Sequence, residues 1–485
     1  MEISVERYHY PIGQGIFSAQ IIRADEERYV CVYDCGSASG KGNIPMYANE
    51  LYEKLEPDKI NKKGKKTIDL LVISHLDRDH VNGVPELMKI FNVRKIVIPY
   101  MSKIEKIIFA WTELNAGDEL FQRGALNAHS LLAGLISEVR DDGTELNLDL
   151  GPTEVVESSA VASTEYLEIN RNMSKVPQDF SQIWEFLHFS LFSGKNDSIK
   201  NDFIKEFDKG FHGILGKGID DLAIEDLQDT KKRKKIKGVY DSVCKCVENM
   251  HKIELKDIFN ASSIILYSGP ASDLQKLNKD SLNIVRESTG QQVVGGYEVP
   301  VVYHREKFSH SSCSNNLECI GGWLGTGDAL LKEPANIHEL KANLGEERIN
   351  RVQVLTAPHH GSRKNSDYEF YDVFSQNGIE CIVQSNPEYT HHHPHADVKE
   401  VITRMGFVEI PVTKEEESFY REYLHLDVGE GKNRSDADNS VSTDFSGTVR
   451  ARRDTYNGIC CRARGTAPGE ITALIRVMRE KGQTT

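Results

Sequence analysis

Short apolar runs alternate with helix-like segments along residues 1–100 and again along 258–428. The clearest run, Ile-Asp-Leu-Leu-Val-Ile at 68–73, predicts a buried strand because most of its side chains are apolar and several are β-branched. Similar runs predict strands near 17–22, 29–33, 94–99, 260–267, 351–357 and 381–384, and helices near 43–56, 337–344, 367–375 and 396–405. This alternation predicts an α/β fold with largely buried strands.

Residues 101–257 follow a different pattern, in which apolar positions recur at helical spacing between polar spacers. Helices are predicted at 103–115, 119–138, 180–193, 197–213 and 239–253. The polar stretch 429–446 is the best linker candidate. The predicted organisation is two halves of one α/β domain at 1–100 and 258–428, a mainly helical insertion at 101–257, and a linker with a small C-terminal extension at 429–485.

Side chains that bind metals follow several of the predicted strands. In chain order they are His75, Asp77, Asp79, His80, Asp328, His359 and His360. In α/β proteins, ligands gather at the carboxyl ends of strands. Imidazole and carboxylate groups bind zinc and similar cations where no thiol is offered. Any one of these residues would also fit an ordinary polar turn, so the prediction rests on their converging in the fold.

Other polar residues lie next to these positions. Asp34 ends the 29–33 strand, where its carboxylate can orient a metal ligand or simply belong to a turn. Ser362 follows the two histidines and Gly361, a segment that suits a metal or a phosphate. A His-rich tract ends in His393-Pro394-His395, between a predicted strand and a predicted helix.

Composition and charge narrow the class of protein. The 485 residues are 39% hydrophobic and contain no run of 18 apolar residues, so no membrane-spanning helix is expected. The first residues lack the order of a secretory signal, and nine scattered cysteines fit reduced thiols in a cytoplasmic protein. The net charge of −14 disfavours a surface that binds nucleic acid broadly. The basic runs at 61–66 and 231–237 can attract phosphates locally, although such runs are more often solvated.

The motif His75-x-Asp77-x-Asp79-His80 resembles the metallo-β-lactamase fold, together with the Thr-Gly-Asp and His-His-Gly-Ser segments at 326–328 and 359–362. It is most similar to the hydrolase domain of the ComEC competence proteins, which have an aspartate at the position of Asp77. An Asp-Cys-Gly turn at 34–36, an Asn-x-x-Ser segment from Asn260 to Ser263, and the His-Pro-His at 393–395 extend the likeness. The resemblance covers about 1–100, 258–270 and 318–428.

This resemblance implies a four-layer αββα sandwich with two divalent cations at one edge, zinc or alternatively manganese. It assigns His75 and Asp77 to one cation and Asp79 and His80 to the other. Asp328 would lie between them, and His359 or His360 would complete the set. In this family pattern, Asn260 stands where other members have a further histidine ligand. Asp34, Asn260, Ser263 and Ser362 would then support the ligands or the substrate.

The resulting hypothesis is a metal-dependent phosphoester hydrolase, a cytoplasmic nuclease with DNA as the favoured substrate. Asp79 would orient or deprotonate the nucleophile, and His393 or His395 would stabilise or protonate the leaving oxygen. Two alternatives stay open: a phosphodiesterase for a small phosphodiester such as a cyclic nucleotide, and a catalytically weakened partner-binding or regulatory module. By analogy, the accessory segments suggest the effector of a multi-gene, defence-like system. A protein partner would bind through 101–257 or 429–485, and no membrane partner is expected.

Overall fold

The computed structural model describes residues 2–25, 27–38, 42–55, 65–100, 153–158, 162–168, 182–191, 195–218, 229–251, 263–271, 282–294, 297–308, 321–374, 379–386, 388 and 392–428. The helices predicted at 103–115 and 119–138, Asn260, residues 61–64 and the segment 429–485 lie outside these ranges. The described residues all belong to one compact unit, which spans 1–431. No helix of the described part is both long and apolar enough to cross a lipid bilayer.

The N-terminal part follows the predicted order of elements. Its elements are β1 (Glu2–His9), β2 (Gly15–Ala24), β3 (Glu27–Ser37), α1 (Ile44–Lys54), β4 (Lys66–Val72), α2 (Arg78–Val81), α3 (Val84–Ile90) and β5 (Phe91–Pro99). The first three strands pair antiparallel as a meander. β4 pairs parallel with both β3 and β5, so the loop after β4 leaves from the carboxyl end of parallel strands.

The described residues between 153 and 251 include strands as well as helices. They are β6 (Glu154–Ser158), β7 (Ser163–Glu168), β8 (Gln182–Ser190), α4 (Lys195–Leu215) and α5 (Thr230–His251). The helix predicted at 180–193 is therefore wrong, because this segment is the strand β8. Its apolar run is buried on both faces, and such a run shows neither helical nor strand periodicity. The helix predicted at 197–213 is confirmed, and the one predicted at 239–253 begins earlier, within the lysine-rich run.

The C-terminal part of the unit contributes the second set of elements. They are β9 (Ile264–Pro270), β10 (Leu282–Val294), β11 (Tyr297–Phe308), β12 (Gly322–Gly325), α6 (Pro334–Arg351), β13 (Val352–Thr356), α7 (Tyr368–Asp372), β14 (Glu380–Gln384), α8 (Ala396–Arg404), β15 (Val408–Val412) and β16 (Tyr420–Val428). A short 3-10 turn, Pro358–Gly361, follows β13.

The strands build two mixed sheets. Sheet A has the order β11-β10-β16-β1-β2-β3-β4-β5-β6, and sheet B has the order β15-β14-β13-β12-β9-β8-β7. Side chains between the sheets form one apolar layer, which includes Trp184 and Trp323. A second layer packs α1, α3, α4 and α5 on the outer face of sheet A, and a third packs α6, α7 and α8 on the outer face of sheet B. The predicted α/β sandwich with helices on both outer faces is confirmed.

One charged side chain lies in the layer between the sheets. Arg7 on β1 is 1% exposed and donates to Glu422 on β16 at 2.6 Å. Its guanidinium also donates to Gln20 Oε1 at 3.2 Å and to the carbonyl oxygens of Ser268 and Gly321. Because Ser268 belongs to sheet B, this arginine joins the two sheets as well as two neighbouring strands of sheet A.

Candidate metal centre

The loop after β4 turns sharply into a single helical turn. Ile73 still donates to Val97 O at 2.9 Å, and the chain then leaves the sheet. Asp77 is extended (φ −67°, ψ 152°) and accepts from His80 N at 2.9 Å, which closes the turn α2. The turn places His80 in the interior, while Asp77 and Asp79 keep part of their side chains exposed.

A buried carboxylate fixes the orientation of His80. Asp34 accepts from His80 Nδ1 at 2.8 Å and from both the backbone N and the Oγ of Ser74 at 2.6 Å. Because His80 donates its Nδ1 proton to Asp34, the other ring nitrogen, Nε2, faces the remaining acidic groups. It lies 3.6 Å from Asp328 Oδ1 and 3.9 Å from Asp79 Oδ2. Asp34 thus acts on the ligand His80 and not on a cation directly.

Asp328 reaches the same edge from sheet B, after β12. Gly327 before it has a φ of +50°, and a Cβ there would lie 2.6 Å from Ser74 Cβ, so the close approach of the two loops needs glycine. Asp328 N donates to Ser263 Oγ at 3.1 Å. The Asp328 carboxylate lies 3.5 Å from His75 Nε2 and 3.3 Å from His359 Nε2. A carboxylate from one sheet therefore faces imidazoles from both.

The 3-10 turn after β13 brings in the second pair of histidines. His360 is buried, donates its Nδ1 proton to Gln384 O at 2.7 Å, and directs Nε2 to Asp79 Oδ2 at 3.5 Å. His359 Nδ1 lies 2.9 Å from Asn365 Oδ1, and Asn365 Nδ2 donates to Asp328 O at 2.8 Å. Asn365 therefore fixes the position of the His359 ring relative to the Asp328 backbone.

Backbone strain concentrates at this edge. Five non-glycine residues of the described chain have a positive φ, and Asp34, His359, His360 and His392 are four of them. Each such residue costs about 1–3 kcal/mol of strain and tends to occur where function requires the geometry. The strained positions hold two of the candidate ligands and the partner of a third.

Two three-residue groups at this edge have the spacing of metal ligands. They are His75, His80 and Asp328, and Asp79, His80 and His360, and within each group the ligand atoms lie within 4.8 Å of one another. Four buried atoms here have no hydrogen-bond partner: Nε2 of His75, His80 and His360, and Oδ1 of Asp328. Buried polar atoms are normally hydrogen-bonded, and these four point into one space, so the residues present fit a divalent cation.

The protonation of the centre follows from its burial and charges. Burial, together with the neighbouring His80, lowers the pKa of His75 to about 3, so His75 is a neutral imidazole ready to bind a cation. Burial alone would lower the pKa of His80, but the carboxylates of Asp34, Asp79 and Asp328 raise it to about 10. Burial opposes ionisation of Asp79 and Asp328 as well, yet the surrounding histidines hold both pKa values below their usual range.

Binding of a cation is therefore expected to release a proton from His80. Its raised pKa means that His80 keeps this proton below about pH 10 in the metal-free protein. Because a metal ligand must be deprotonated, apparent zinc affinity should rise by about tenfold per pH unit between about pH 7 and 9. Isothermal titration calorimetry at pH 7.5, in buffers of different ionisation enthalpy, should count about one proton released per chain.

The variant Asp34→Asn provides the comparison. Loss of this carboxylate should lower the pKa of His80 by about 1–3 units in the metal-free protein, measured by NMR titration of the ring. At pH 9, the variant should therefore release fewer protons than the wild type when zinc binds. Zinc binding by the wild type without any proton release would contradict the protonated state of His80.

Replacing Asn365 should weaken metal binding although it is not itself a ligand. In Asn365→Ala, His359 loses its fixed ring orientation and the Asp328 loop loses an anchor, so zinc affinity should fall about 10–100-fold. Competition with a chromogenic chelator measures the change. Asn336→Ala is the matched control, because Asn336 is equally buried and donates to Leu330 O without touching a candidate ligand. Equal affinities in the two variants would exclude this role of Asn365.

The remaining predicted residues surround the centre at different distances. Asp77 Oδ2 lies 3.8 Å from His75 Nε2 and falls in neither group of three ligands. The His393 ring is buried, with its centroid 5.3 Å from that of His359, and His395 follows with its ring 4.9 Å from that of His393. His395 Nδ1 accepts from Arg363 N at 3.3 Å and so faces the loop after the 3-10 turn.

The two serines of the predicted set have hydrogen-bonding roles. Ser263 Oγ accepts from Asp328 N and lies 3.4 Å from His75 Nδ1, so it contacts two ligand residues. Ser362 Oγ accepts from Lys364 N and supports the turn after the histidines. Asn260 lies outside the described residues.

Three further residues position ligands and were not predicted from the sequence. Ser74 Oγ lies 3.1 Å from His75 Nδ1 and also donates to Asp34, while Asn365 and the backbone of Gln384 hold His359 and His360. Ser74 could have been found, because it directly precedes the motif at the strand end. Asn365 and Gln384 carry no local signal, since their roles depend on contacts between separate loops.

Comparison with known proteins agrees with this geometry. A family model described as the metallo-beta-lactamase superfamily matches residues 18–103. ComE operon protein 3 of Bacillus subtilis (strain 168) is 30% identical over 121 residues, which is 23% of this chain and 15% of that protein. The chain thus matches only a small part of this relative's length.

One solved structure matches part of the chain. It is the subclass B3 metallo-beta-lactamase MEM-A1, isolated from a soil metagenome library. It is 13% identical, with a TM-score of 0.17, and the match covers 39% of this chain and 56% of the other. Nothing about the activity of this chain is inferred from a similarity this low.

Proposed function

We propose, from the premise that this chain contains a metallo-β-lactamase superfamily domain, that it is a metal-dependent phosphoester hydrolase, and specifically a nuclease. One observation carries the proposal. Four buried nitrogen and oxygen atoms, on His75, His80, Asp328 and His360, converge without hydrogen-bond partners. A purely structural polar cluster would satisfy those atoms, whereas a hydrolytic metal centre needs them open.

Two divalent cations fit the arrangement, with zinc the first choice and manganese the alternative. His75 with Asp328 offers ligands to one cation, and Asp79 with His360 offers ligands to the other. His80 lies in both groups, but its Nδ1 donates to Asp34, so its remaining ring nitrogen would serve a single cation. Asp328 has one oxygen near His80 and the second near His75 and His359, which suits a carboxylate shared by two cations. All ligands are nitrogen or oxygen, a set that zinc and manganese both accept.

The protein's own groups have separable roles in this proposal. The cations, when bound, supply Lewis-acid activation of water and neutralise phosphoryl charge. Asp79 is partly exposed, so its carboxylate can orient the attacking water and accept its proton. His393 and His395 lie beside His359 on the late loop, from where an imidazole can stabilise or protonate the leaving oxygen.

The ComEC-like motifs support DNA as the first substrate to test. Purified protein loaded with zinc or manganese should cleave plasmid DNA, and Asp79→Ala should abolish cleavage. Full cleavage by that variant would remove Asp79 from the mechanism. Hydrolysis of cyclic nucleotides without cleavage of DNA would move the assignment to a small-molecule phosphodiesterase.

A metal content below one ion per chain, with no phosphoester hydrolysed, would overturn the proposal. Such a result would favour a partner-binding or regulatory module. A module that no longer catalyses a reaction would explain why Asn260 stands where other members of the family have a histidine ligand.

A further inference from the structure

Four exposed basic residues lie in the segments that carry the candidate metal ligands. Arg78 lies between Asp77 and Asp79, Lys332 follows Asp328 on the loop after β12, and Arg363 and Lys364 follow the 3-10 turn. All four are exposed. We call Lys332 and Arg363 the cationic rim, because hydrogen bonds place both beside the ligand segments. The rim stands out in a chain whose net charge is −14.

The two rim residues are held in place by the same loops that hold the ligands. Lys332 Nζ donates to Arg363 O at 3.2 Å, so the two segments are in direct contact. Arg363 N donates to His395 Nδ1 at 3.3 Å, and Asn365, two residues later, donates to Asp328 O. The rim is therefore built into the framework of the centre and is not a pair of unrelated surface side chains.

Among the described residues, the rim has no acidic partner. Within the described ranges, neither Lys332 nor Arg363 forms an ion pair, and Lys332 Nζ contacts only a backbone carbonyl. Exposed lysines elsewhere on the same unit do pair, such as Lys399 with Glu409 at 3.2 Å and Lys89 with Glu86 at 2.6 Å. Two cations without an ion pair among the described residues, next to a centre for phosphoester hydrolysis, favour an anionic ligand that extends beyond the reacting group.

We propose that the cationic rim binds phosphates that flank the one being hydrolysed, so the substrate is a polynucleotide and not an ester with a single phosphate. This inference rests on the proposed hydrolase function. The metal ligands suffice for one phosphoryl group, so a small phosphodiester leaves the rim without a role. A nucleic acid chain presents further phosphates on both sides, and lysine and arginine are the residues that bind them.

The lysine-rich start of α5 provides a matched control. Lys234 and Lys235 are exposed like the rim residues, but they belong to α5, which packs through Ile236 and Tyr240 on the outer face of sheet A. Replacing them removes the same charge from the chain. If general attraction of nucleic acid to a basic surface explained activity, these lysines would matter as much as the rim.

The experiment compares Lys332→Gln/Arg363→Gln with Lys234→Gln/Lys235→Gln on two substrates. For linear DNA at about 0.15 M salt, the rim variant should lose at least about tenfold in kcat/KM, and the logarithmic salt dependence should become less steep by about two. For bis(p-nitrophenyl) phosphate, which has one phosphate, both variants should stay within about twofold of wild type. The α5 variant should also match wild type on DNA.

Three outcomes separate this inference from the proposed function. Wild-type rates of DNA cleavage in the rim variant would overturn the inference and leave the hydrolase intact. An equal loss on both substrates would also overturn it, because the rim would then act on the centre itself. If wild type cleaves neither substrate, the proposed function fails. Fluorescence anisotropy with a labelled oligonucleotide then tests separately whether the rim binds nucleic acid. Binding must then weaken at least about tenfold in the rim variant, and unchanged binding overturns the inference.

Discussion

Asp328→Asn should lower phosphoester hydrolysis by at least about 10³-fold, equivalent to about 4 kcal/mol of transition-state stabilisation. The reason is the central position of this carboxylate. Its two oxygens lie 3.3–3.6 Å from the Nε2 atoms of His75, His80 and His359, and no other carboxylate of the described chain contacts all three rings. The neutral amide keeps the shape but removes the charge that would bind both cations, so bound metal should fall to one ion per chain or fewer.

Kinetics with bis(p-nitrophenyl) phosphate and elemental analysis of the dialysed protein measure the two effects. The matched control is Asp367→Asn on the nearby loop, where the carboxylate accepts from Glu369 N at 3.1 Å and caps α7. The control should lose stability slightly and keep its metal. Retention of more than a tenth of wild-type activity by Asp328→Asn would remove Asp328 from the centre.

Arg7→Met is expected to lower the free energy of unfolding by about 3–5 kcal/mol, without any role in chemistry. Removing one member of a buried ion pair leaves the other charge without compensation in a medium of low polarity. Glu422, 1% exposed, would lose its arginine, and the carbonyls of Ser268 and Gly321 would lose a donor. Urea unfolding followed by circular dichroism gives the difference directly.

Two comparisons keep this prediction specific. Arg94→Met removes an arginine that is 62% exposed and whose Nε lies 3.9 Å from Asp69 Oδ1. An exposed pair of this kind contributes about 1 kcal/mol or less to the free energy of unfolding. Adding Glu422→Gln to Arg7→Met should recover part of the loss, because the buried charge is then gone. A loss below about 1 kcal/mol in Arg7→Met would show that the contact between sheets at this arginine is dispensable.

The sequence predicts the site better than it predicts the insertion, for a physical reason. Ligands at strand ends are set by two local features, an apolar run and the polar residues directly after it. The loop at 74–80 and the histidines after β13 both follow this rule. β12 and β13 pair parallel and bring Asp328 and these histidines to one edge of sheet B, where they face the loop after β4 of sheet A.

Elements whose environment is decided by distant residues escaped prediction. A helix is predicted at 180–193, but pairing with β7 and β9 makes residues 182–190 a strand. The interactions of Asn365 and Gln384 join loops that are far apart in the chain, and nothing near either residue indicates them. The protein partner predicted for 101–257 or 429–485 and the defence-like context stay predictions.

The strand order also has a consequence for biosynthesis. β1 pairs with β16, and Arg7 and Glu422 lie 415 residues apart, so the middle of sheet A cannot close until nearly the whole unit has left the ribosome. At typical rates of translation, the first strand waits about 20–80 s for its neighbour. A nascent or truncated chain lacks that closure, so any activity that requires the closed sheet would begin only when synthesis of the unit is almost finished.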